Sequence, residues 1–260
     1  MEKKKVTLSI ALAVKNEESN IKPCLSSITD IADEIVVVDG GSTDRTIEIA
    51  KHFNAKVIET DNPLMFHINK EKALNACRGD WILQLDADEV VTEELNKEII
   101  GTISKEQKTN GYYIPRKNYF LGNWMKKGGQ YPDYVVRLVR NGYAFFPCKS
   151  VHEQISVKGE LGYLHEPLLH YSYKTISEYW RKADIYTGLT ANELLEKGIK
   201  KGLRSWFIYN LIKPAQTFWT LFFRHKGFVD GWRGFLFALF SSLHHPIAYR
   251  KLIKLSLFRL

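Results

Sequence analysis

Sulfur and long apolar runs are scarce in this chain, and acidic residues are nearly absent from one end of it. Three cysteines in 260 residues (Cys24, Cys77, Cys148), far apart and odd in number, exclude a disulfide framework and a CxxC metal site. They read as buried or idle thiols of a reducing compartment. No stretch reaches the ~18 to 20 apolar residues of a transmembrane helix; the longest candidate, Gly234 to Leu243, is about half that length. Lys3–Lys5 followed by Val6–Val14 imitates a short leader, but the apolar stretch sits at the low end for a signal peptide and reads better as a first strand. There is no internal repeat and no low-complexity linker. Hydrophobic residues at 45% and charged residues at 25% are ordinary globular proportions, which exclude disorder and a polytopic membrane protein.

The formal net charge of +8 is unevenly placed. Of 37 Lys and Arg, twelve lie between Lys197 and Leu260, where Asp230 is the one acid among 29. The first 196 residues therefore hold twenty-five bases against twenty-eight acids, a net of −3. The same tail carries fourteen of the 33 aromatics. Bases interleaved with Trp, Phe and Leu describe an interfacial segment lying on anionic lipid. They also describe helices whose aromatics pack on the domain while their bases are solvated. Nucleic acid is not expected, because no recognition-helix or RNA-binding motif accompanies the bases. His244-His245-Pro246 is read as a turn at a helix end rather than a metal site.

The first hundred residues alternate strands and helices. Val6–Val14 is a nearly continuous apolar run, the signature of a strand buried on both faces. A helix through Ile31, a strand over 34–39, a helix opened by Thr43-Asp44, and a strand over 55–59 follow. A helix over 69–78 and a strand over 81–86 complete the pattern. Such alternation implies right-handed βαβ units and a mostly parallel sheet, hence an α/β domain. After Asn110 the strands shorten (112–116, 135–139, 143–147), and from Ser177 the period is helical again, with helices over 203–223 and 228–243. Pro214 is expected to interrupt the former. The partition is 1–110, 111–176 and a helical extension over 177–260.

Ligands of open parallel sheets bind beyond the carboxyl ends of the strands. Three polar clusters sit there: Lys15-Asn16-Glu17, Asp39-Gly40-Gly41-Ser42, and Asp86-Ala87-Asp88-Glu89. A carboxylate at a strand end can accept a base imide N–H or ribose hydroxyls, and adjacent glycines let the backbone approach closely. Two carboxylates one residue apart can hold a hard divalent cation that also bridges phosphate oxygens. Each cluster alone is also ordinary turn chemistry; three in register, each ending an apolar run, are what point to a site.

These motifs resemble those of inverting family-2 glycosyltransferases with the GT-A fold, a Rossmann-like sheet flanked by helices. Tyr131-Pro132-Asp133, Val151-His152-Glu153, His170–Tyr173 and Lys226–Phe235 are similar to a narrower branch, the bacterial lipopolysaccharide-core β-1,4-glucosyltransferases. The resemblance implies that Lys15, Asn16, Glu17, Asp39, Gly41, Ser42, Asn69, Lys72 and Asp86 contact a UDP-sugar, with Asp39 facing uracil. It implies that Asp88, with Asp86, holds Mg²⁺ or Mn²⁺, and that His152 is a third ligand, a phosphate contact or an ordinary histidine. Inversion needs one base on the acceptor side. Asp133 stands where the family places it, although the family's preceding Glu is Pro132 here; Glu153 is the rival. The implied partners are a UDP-sugar, a glycolipid or oligosaccharide acceptor, and the cytoplasmic face of the inner membrane. Two other readings are a sugar nucleotidyltransferase, disfavoured because its Gly-rich basic loop is missing, and a non-catalytic nucleotide-binding scaffold.

Overall fold

The computed structural model describes residues 5–63, 65–106, 108–148 and 154–257. His152 and Glu153 therefore lie outside the described residues. The chain forms two compact units, one of residues 1–116 and 134–170, the other of residues 117–133 and 171–260.

In the first unit the expected alternation is realised: β1 Leu8–Val14, α1 Ile21–Ser26, β2 Glu34–Asp39, α2 Thr46–His52, β3 Lys56–Glu59, α3 His67–Ala76 and β4 Trp81–Leu85. The strands pair in parallel in the order β3-β2-β1-β4. All five residues of β4 are buried, as are six of the seven in β1. Burial on both faces is why these strands read as unbroken Val, Ile and Leu runs without alternation. Further on, β5 Glu89–Val91, α4 Glu93–Ile103, β6 Gly111–Phe120, β7 Asn123–Trp124, β8 Asp133–Arg140, β9 Ala144–Phe145, β10 Ser156–Val157, β11 Leu161–Tyr163 and β12 Leu168–Tyr173 follow. The sheet continues β4-β8-β6-β12-β5, with β8 antiparallel to β4. α4 was not anticipated; Thr92 caps it, its hydroxyl accepting the Leu95 N–H, and Leu95, Ile99 and Ile103 are the face it buries.

Two registers place the site. Val14 pairs with Asp39 across β1 and β2, and Leu12 with Leu85 across β1 and β4. The carboxyl ends of all three strands, and the polar segments that follow them, therefore meet at one edge of the sheet.

The second unit is helical apart from a tight β6–β7 hairpin and the end of β12. That hairpin turns at Leu121 and Gly122, both with positive φ, as a two-residue turn matching strand twist requires. α5 (Ile176–Glu196) buries Tyr179, Ala183, Thr187, Ala191 and Leu194, a stripe at helical spacing. The segment Leu203–Arg224 runs as α6 (Leu203–Phe207), a π segment, α7 (Lys213–Trp219) and a second π segment. Pro214 does not break it: the proline sits in the first turn of α7, where its missing N–H costs little. A short 3₁₀ turn, Gly227–Asp230, leads into α8, Gly231–Leu257. α8 packs on α5 and α7. Gly234 has to be glycine there, because a Cβ would overlap the Gly227 carbonyl.

One expectation is corrected. His244, His245 and Pro246 are not a turn but interior residues of α8. Lateral hydrogen bonds hold both rings: His244 Nε2 lies 3.0 Å from the Tyr179 hydroxyl, and His245 Nε2 lies 2.8 Å from Thr217 Oγ1. Helix packing outweighs the breaking tendency of one proline.

Burial pushes the pKa of His244 down, helped by His245, and that of His245 down, helped by Lys213. A base whose folded pKa is depressed contributes stability that is present above its unfolded pKa and lost as pH falls below it. The second unit is therefore expected to lose thermal stability as pH drops below about 6.5, the ordinary histidine value. The double variant His244→Gln/His245→Gln should flatten that dependence in melting curves recorded across mildly acidic pH.

Candidate active site

The first two strand-end clusters are laced into one another. Asp39, fully buried at the end of β2, accepts the Gly41 and Ser42 backbone N–H groups on Oδ2 (2.9 and 2.8 Å) and the Ser42 hydroxyl on Oδ1 (2.5 Å). The turn is of the kind an aspartate nucleates by bonding to the backbone just ahead of it. It closes because Gly41 adopts φ +80°, which side-chain-bearing residues rarely reach. Ser42 Oγ also accepts the Asn16 N–H (2.8 Å), while Asn16 Oδ1 accepts the Thr43 N–H (2.8 Å). Asn16 is itself left-handed at φ 53°. Glu17 N–H donates to Thr46 Oγ1 (2.8 Å), and Glu17 Oε2 accepts from Asn20 (2.7 Å). Asp44, expected to open α2, lies just before it: α2 begins at Thr46 with Arg45 at the N-cap position, and the Asp44 carboxylate accepts the Thr46 N–H at 3.0 Å. Burial raises its pKa, but hydrogen bonds from Thr46 and the Glu18 N–H leave it below the usual value. Lys15 is exposed at the rim.

Asn69 and Lys72 of α3 are held at the segment after β3. Asn69 Nδ2 donates to the Asp61 carbonyl (2.9 Å) and Lys72 Nζ to Thr60 Oγ1 (2.6 Å). Asn69 Oδ1 is a buried acceptor with no hydrogen-bond partner. The residue of α3 that reaches the third cluster is Lys70, whose Nζ pairs with Asp86 Oδ1.

That third cluster is built around a buried guanidinium. Arg137 of β8 bonds through Nη2 to Asp86 Oδ2 (2.6 Å) and Glu89 Oε1 (2.7 Å), and through Nη1 to Gln84 Oε1. Glu89 is fully buried; its Oε2 accepts the Asp86 N–H (2.9 Å), and Arg116 stands 3.4 Å from its Oε1. Burial would push the Asp86 carboxyl up, but Arg137 and Lys70 outweigh it and hold the group well below the usual carboxylate range. Burial lowers the Arg137 pKa, and Asp86 with Glu89 more than restores it, so the guanidinium stays charged. Asp86 is thus anchored from two sides.

Asp88 Oδ1 faces His170 Nε2 of β12 at 3.6 Å. Burial pushes the His170 pKa down against the opposing pull of Asp88, which favours the neutral imidazole that binds metals. Among the described residues no three His, Cys, Asp or Glu side chains are grouped to hold an ion unaided. A carboxylate oxygen and an imidazole nitrogen do fit Mn²⁺ or Mg²⁺ when the remaining positions fall to phosphate oxygens and water. The donor set therefore suits an ion shared with a phosphate-bearing ligand.

Asp133 opens β8 in the second unit, where Asn118 Nδ2 donates to its Oδ2 (3.0 Å) and to the Gln130 carbonyl (3.0 Å). Asn118 is buried. Lys70, Gln84 and Asn118 are site neighbours that the sequence reading did not single out, whereas Glu89 and His170 stood in its motifs without an assigned role, and Arg137 was legible as a charged residue within the apolar run 135–139.

Removing one partner of a buried ion cluster leaves charge uncompensated, at a cost of roughly 3–5 kcal/mol. Arg137→Met should therefore destabilise the protein by about that much in denaturant titrations and abolish nucleotide binding. Adding Glu89→Gln should recover part of the stability and none of the binding.

The family model described as glycosyl transferase family 2 matches residues 9–154, more than half of the chain. An uncharacterized glycosyltransferase of Rickettsia typhi, RT0209, is 28% identical over 264 residues, covering 96% of this chain and 88% of the relative. LpsC of Rhizobium meliloti, a lipopolysaccharide core biosynthesis glycosyltransferase, is 28% identical over 255 residues, covering 92% and 89%. Among solved structures, S. aureus TarS 1–349 in complex with UDP-GlcNAc aligns with a TM-score of 0.51 at 17% identity, covering 96% of this chain and 89% of that one. That likeness is one of fold. The matched span contains all three strand-end clusters, and the chain belongs to glycosyl transferase family 2: it is a glycosyltransferase of the GT-A type.

Proposed function

We propose that the protein is an inverting, metal-dependent hexosyltransferase. It takes its sugar from a UDP-hexose, UDP-glucose first among them, and passes it to a saccharide of a bacterial envelope glycolipid at the cytoplasmic face of the inner membrane. The observation that carries the reading is the anchoring of Asp86 by Lys70 and Arg137, which leaves Asp88 beside His170 at the end of β4. The name of the Rhizobium relative supports a lipopolysaccharide-type acceptor.

In this reading the Asn16–Glu17 loop and the Asp39 turn form the floor for the nucleoside. Asp39 is spent on its own turn, so it contributes shape there, and the rigid backbone of Gly41 and Ser42 is what a uridine meets. Asn69 brings its amide nitrogen near Gly40, and its carbonyl oxygen is an acceptor without a partner in the fold. Asp88 and His170 would hold Mg²⁺ or Mn²⁺, which when bound neutralises the diphosphate as it departs. Lys70 and Arg137 keep Asp86 ionised and immobile, so the segment carrying Asp88 is preorganised.

Asp133 takes the proton of the acceptor hydroxyl. That oxygen forms its bond to the anomeric carbon from the face opposite the leaving group, and the bond from that carbon to the diphosphate oxygen breaks with its electron pair on UDP. The result is a β-linkage. Asn118 positions Asp133 by donating to its Oδ2 at 3.0 Å. Glu153 is the second candidate for this role.

UDP release from a panel of UDP-sugars, with Mn²⁺ and again with EDTA, tests the donor and the metal together. One sugar nucleotide should be hydrolysed slowly without acceptor, and EDTA or Asp88→Ala should stop it; near-normal turnover in Asp88→Ala would overturn the metal assignment. With acceptor present, Asp133→Asn should lower kcat by about 10² to 10⁴-fold, the usual contribution of a general base, with little change in donor affinity. A loss seen in Glu153→Gln instead would move the base there.

A further inference from the structure

Between Leu203 and Arg224 the second unit buries a single residue, Tyr209. A helical stretch of that length packed into a domain normally hides an apolar stripe. Here the apolar side chains stand outward instead. Leu203 is 76% exposed and Trp219 63%, with Trp206, Phe207 and Phe223 also open to solvent. Beyond the 3₁₀ turn Trp232 continues the series at 57%. The rings pack on one another rather than on a core: Trp219 lies 4.5 Å from Phe223, and Phe218 lies 5.4 Å from Phe222. Soluble proteins leave large contiguous apolar patches uncovered mainly where something docks.

The charges in the same stretch identify what docks. Arg204, Arg224 and Lys226 are exposed and make no ion pair among the described residues. The one acid between residues 197 and 260 is Asp230, and its carboxylate is consumed by the Lys126 and Lys127 backbone N–H groups (2.9 Å each). A face that joins Trp and Phe to uncompensated Lys and Arg matches the two layers of an anionic lipid surface, acyl chains beneath and phosphate headgroups above. No helix among the described residues is long and apolar enough to cross a bilayer. We infer that the Leu203–Trp232 face docks in the plane of an anionic phospholipid bilayer, with Trp206, Trp219 and Phe223 entering the interface and Arg204, Arg224 and Lys226 meeting the headgroups. Its purpose rests on the reading of a lipid-borne acceptor; the face itself is independent of it. The sequence pattern left two fates open for the tail aromatics, packing or lipid, and the structure divides them: Tyr209 and Tyr249 stack inside at 5.5 Å, and the Trp206–Trp232 set stays outside.

The test is co-sedimentation of the full chain with vesicles of phosphatidylethanolamine and phosphatidylglycerol, and separately with vesicles of phosphatidylcholine, reading tryptophan emission alongside. Binding to the anionic vesicles with a blue shift is expected, weakened by salt and much weaker on phosphatidylcholine. Trp219→Ser/Phe223→Ser should lose both signals, whereas Tyr163→Ser, an exposed aromatic of the first unit, should lose neither. Should the aromatic variant fail to fold, Arg224→Gln/Lys226→Gln provides the same test, with vesicle affinity expected to drop about fivefold per base removed. Sedimentation of the wild type with neither vesicle, undiminished binding by both variants, or a concentration-dependent dimer that buries Trp219 without lipid would overturn the inference. Metal-dependent UDP release measured without vesicles should be unchanged in every variant, so a failure of docking is distinct from a failure of the transferase reading.

Discussion

A guanidinium in the interior is costly unless its charge is answered. In the first unit Arg137 is answered by Asp86, Glu89 and Gln84, three residues around the end of β4. The cluster is therefore both a structural joint and the foundation of the site. It ties β8 to the segment leaving β4, and it removes Asp86 from the pool of adjustable carboxylates. Asp88 inherits a fixed backbone from that arrangement. On the proposed function, a site that meets a diphosphate gains from such rigidity, since donors and charges already in place need no reorganisation when charge develops.

The loops after β1 and β2 are fixed on the same principle. Two adjacent loops, after β1 and β2, exchange backbone and side-chain hydrogen bonds through Asn16, Ser42, Asp44 and Thr46. Left-handed Asn16 and Gly41 let the chain turn sharply enough for that exchange. Asp39 is the nucleating group of the second loop. A carboxylate that looks like a ligand contact in the sequence is thus, in the ligand-free fold, the group that shapes the loop a ligand meets.

The second unit obeys a different constraint. Small residues along α8 (Gly234, Ala238, Ser242) permit close helix packing, which consumes the polar groups of His244 and His245. Among the described residues that interior takes in Tyr209 and leaves Trp206, Phe207, Trp219 and Phe223 uncovered. Their exposure follows from how much apolar surface the segment carries relative to the core available to hide it.

Much of the first unit is legible in the chain, because parallel strands buried on both faces write themselves as continuous apolar runs and because polar residues at their ends have nowhere else to point. β2 over Glu34–Asp39 and β4 from Trp81 are read off within a residue. The clusters at 15–17, 39–42 and 86–89 are legible for the same reason, and with them the family. Contacts between residues far apart in sequence are not. That Lys70 rather than Lys72 reaches Asp86, that His170 rather than a nearer histidine faces Asp88, and that Asn118 holds Asp133 depend on strand order and helix rotation. The grouping of residues 117–133 with the C-terminal helices is equally invisible in a linear pattern. Pro246 shows the limit from the other direction: local propensity predicts a break, and packing on both sides of α8 overrides it. The sequence by itself determined which residues end the buried strands and which segment carries the excess of bases and rings. Only the tertiary structure decided which cations hold Asp86 and which rings stay outside, because both outcomes depend on three-dimensional proximity, which hydrophobic periodicity does not encode.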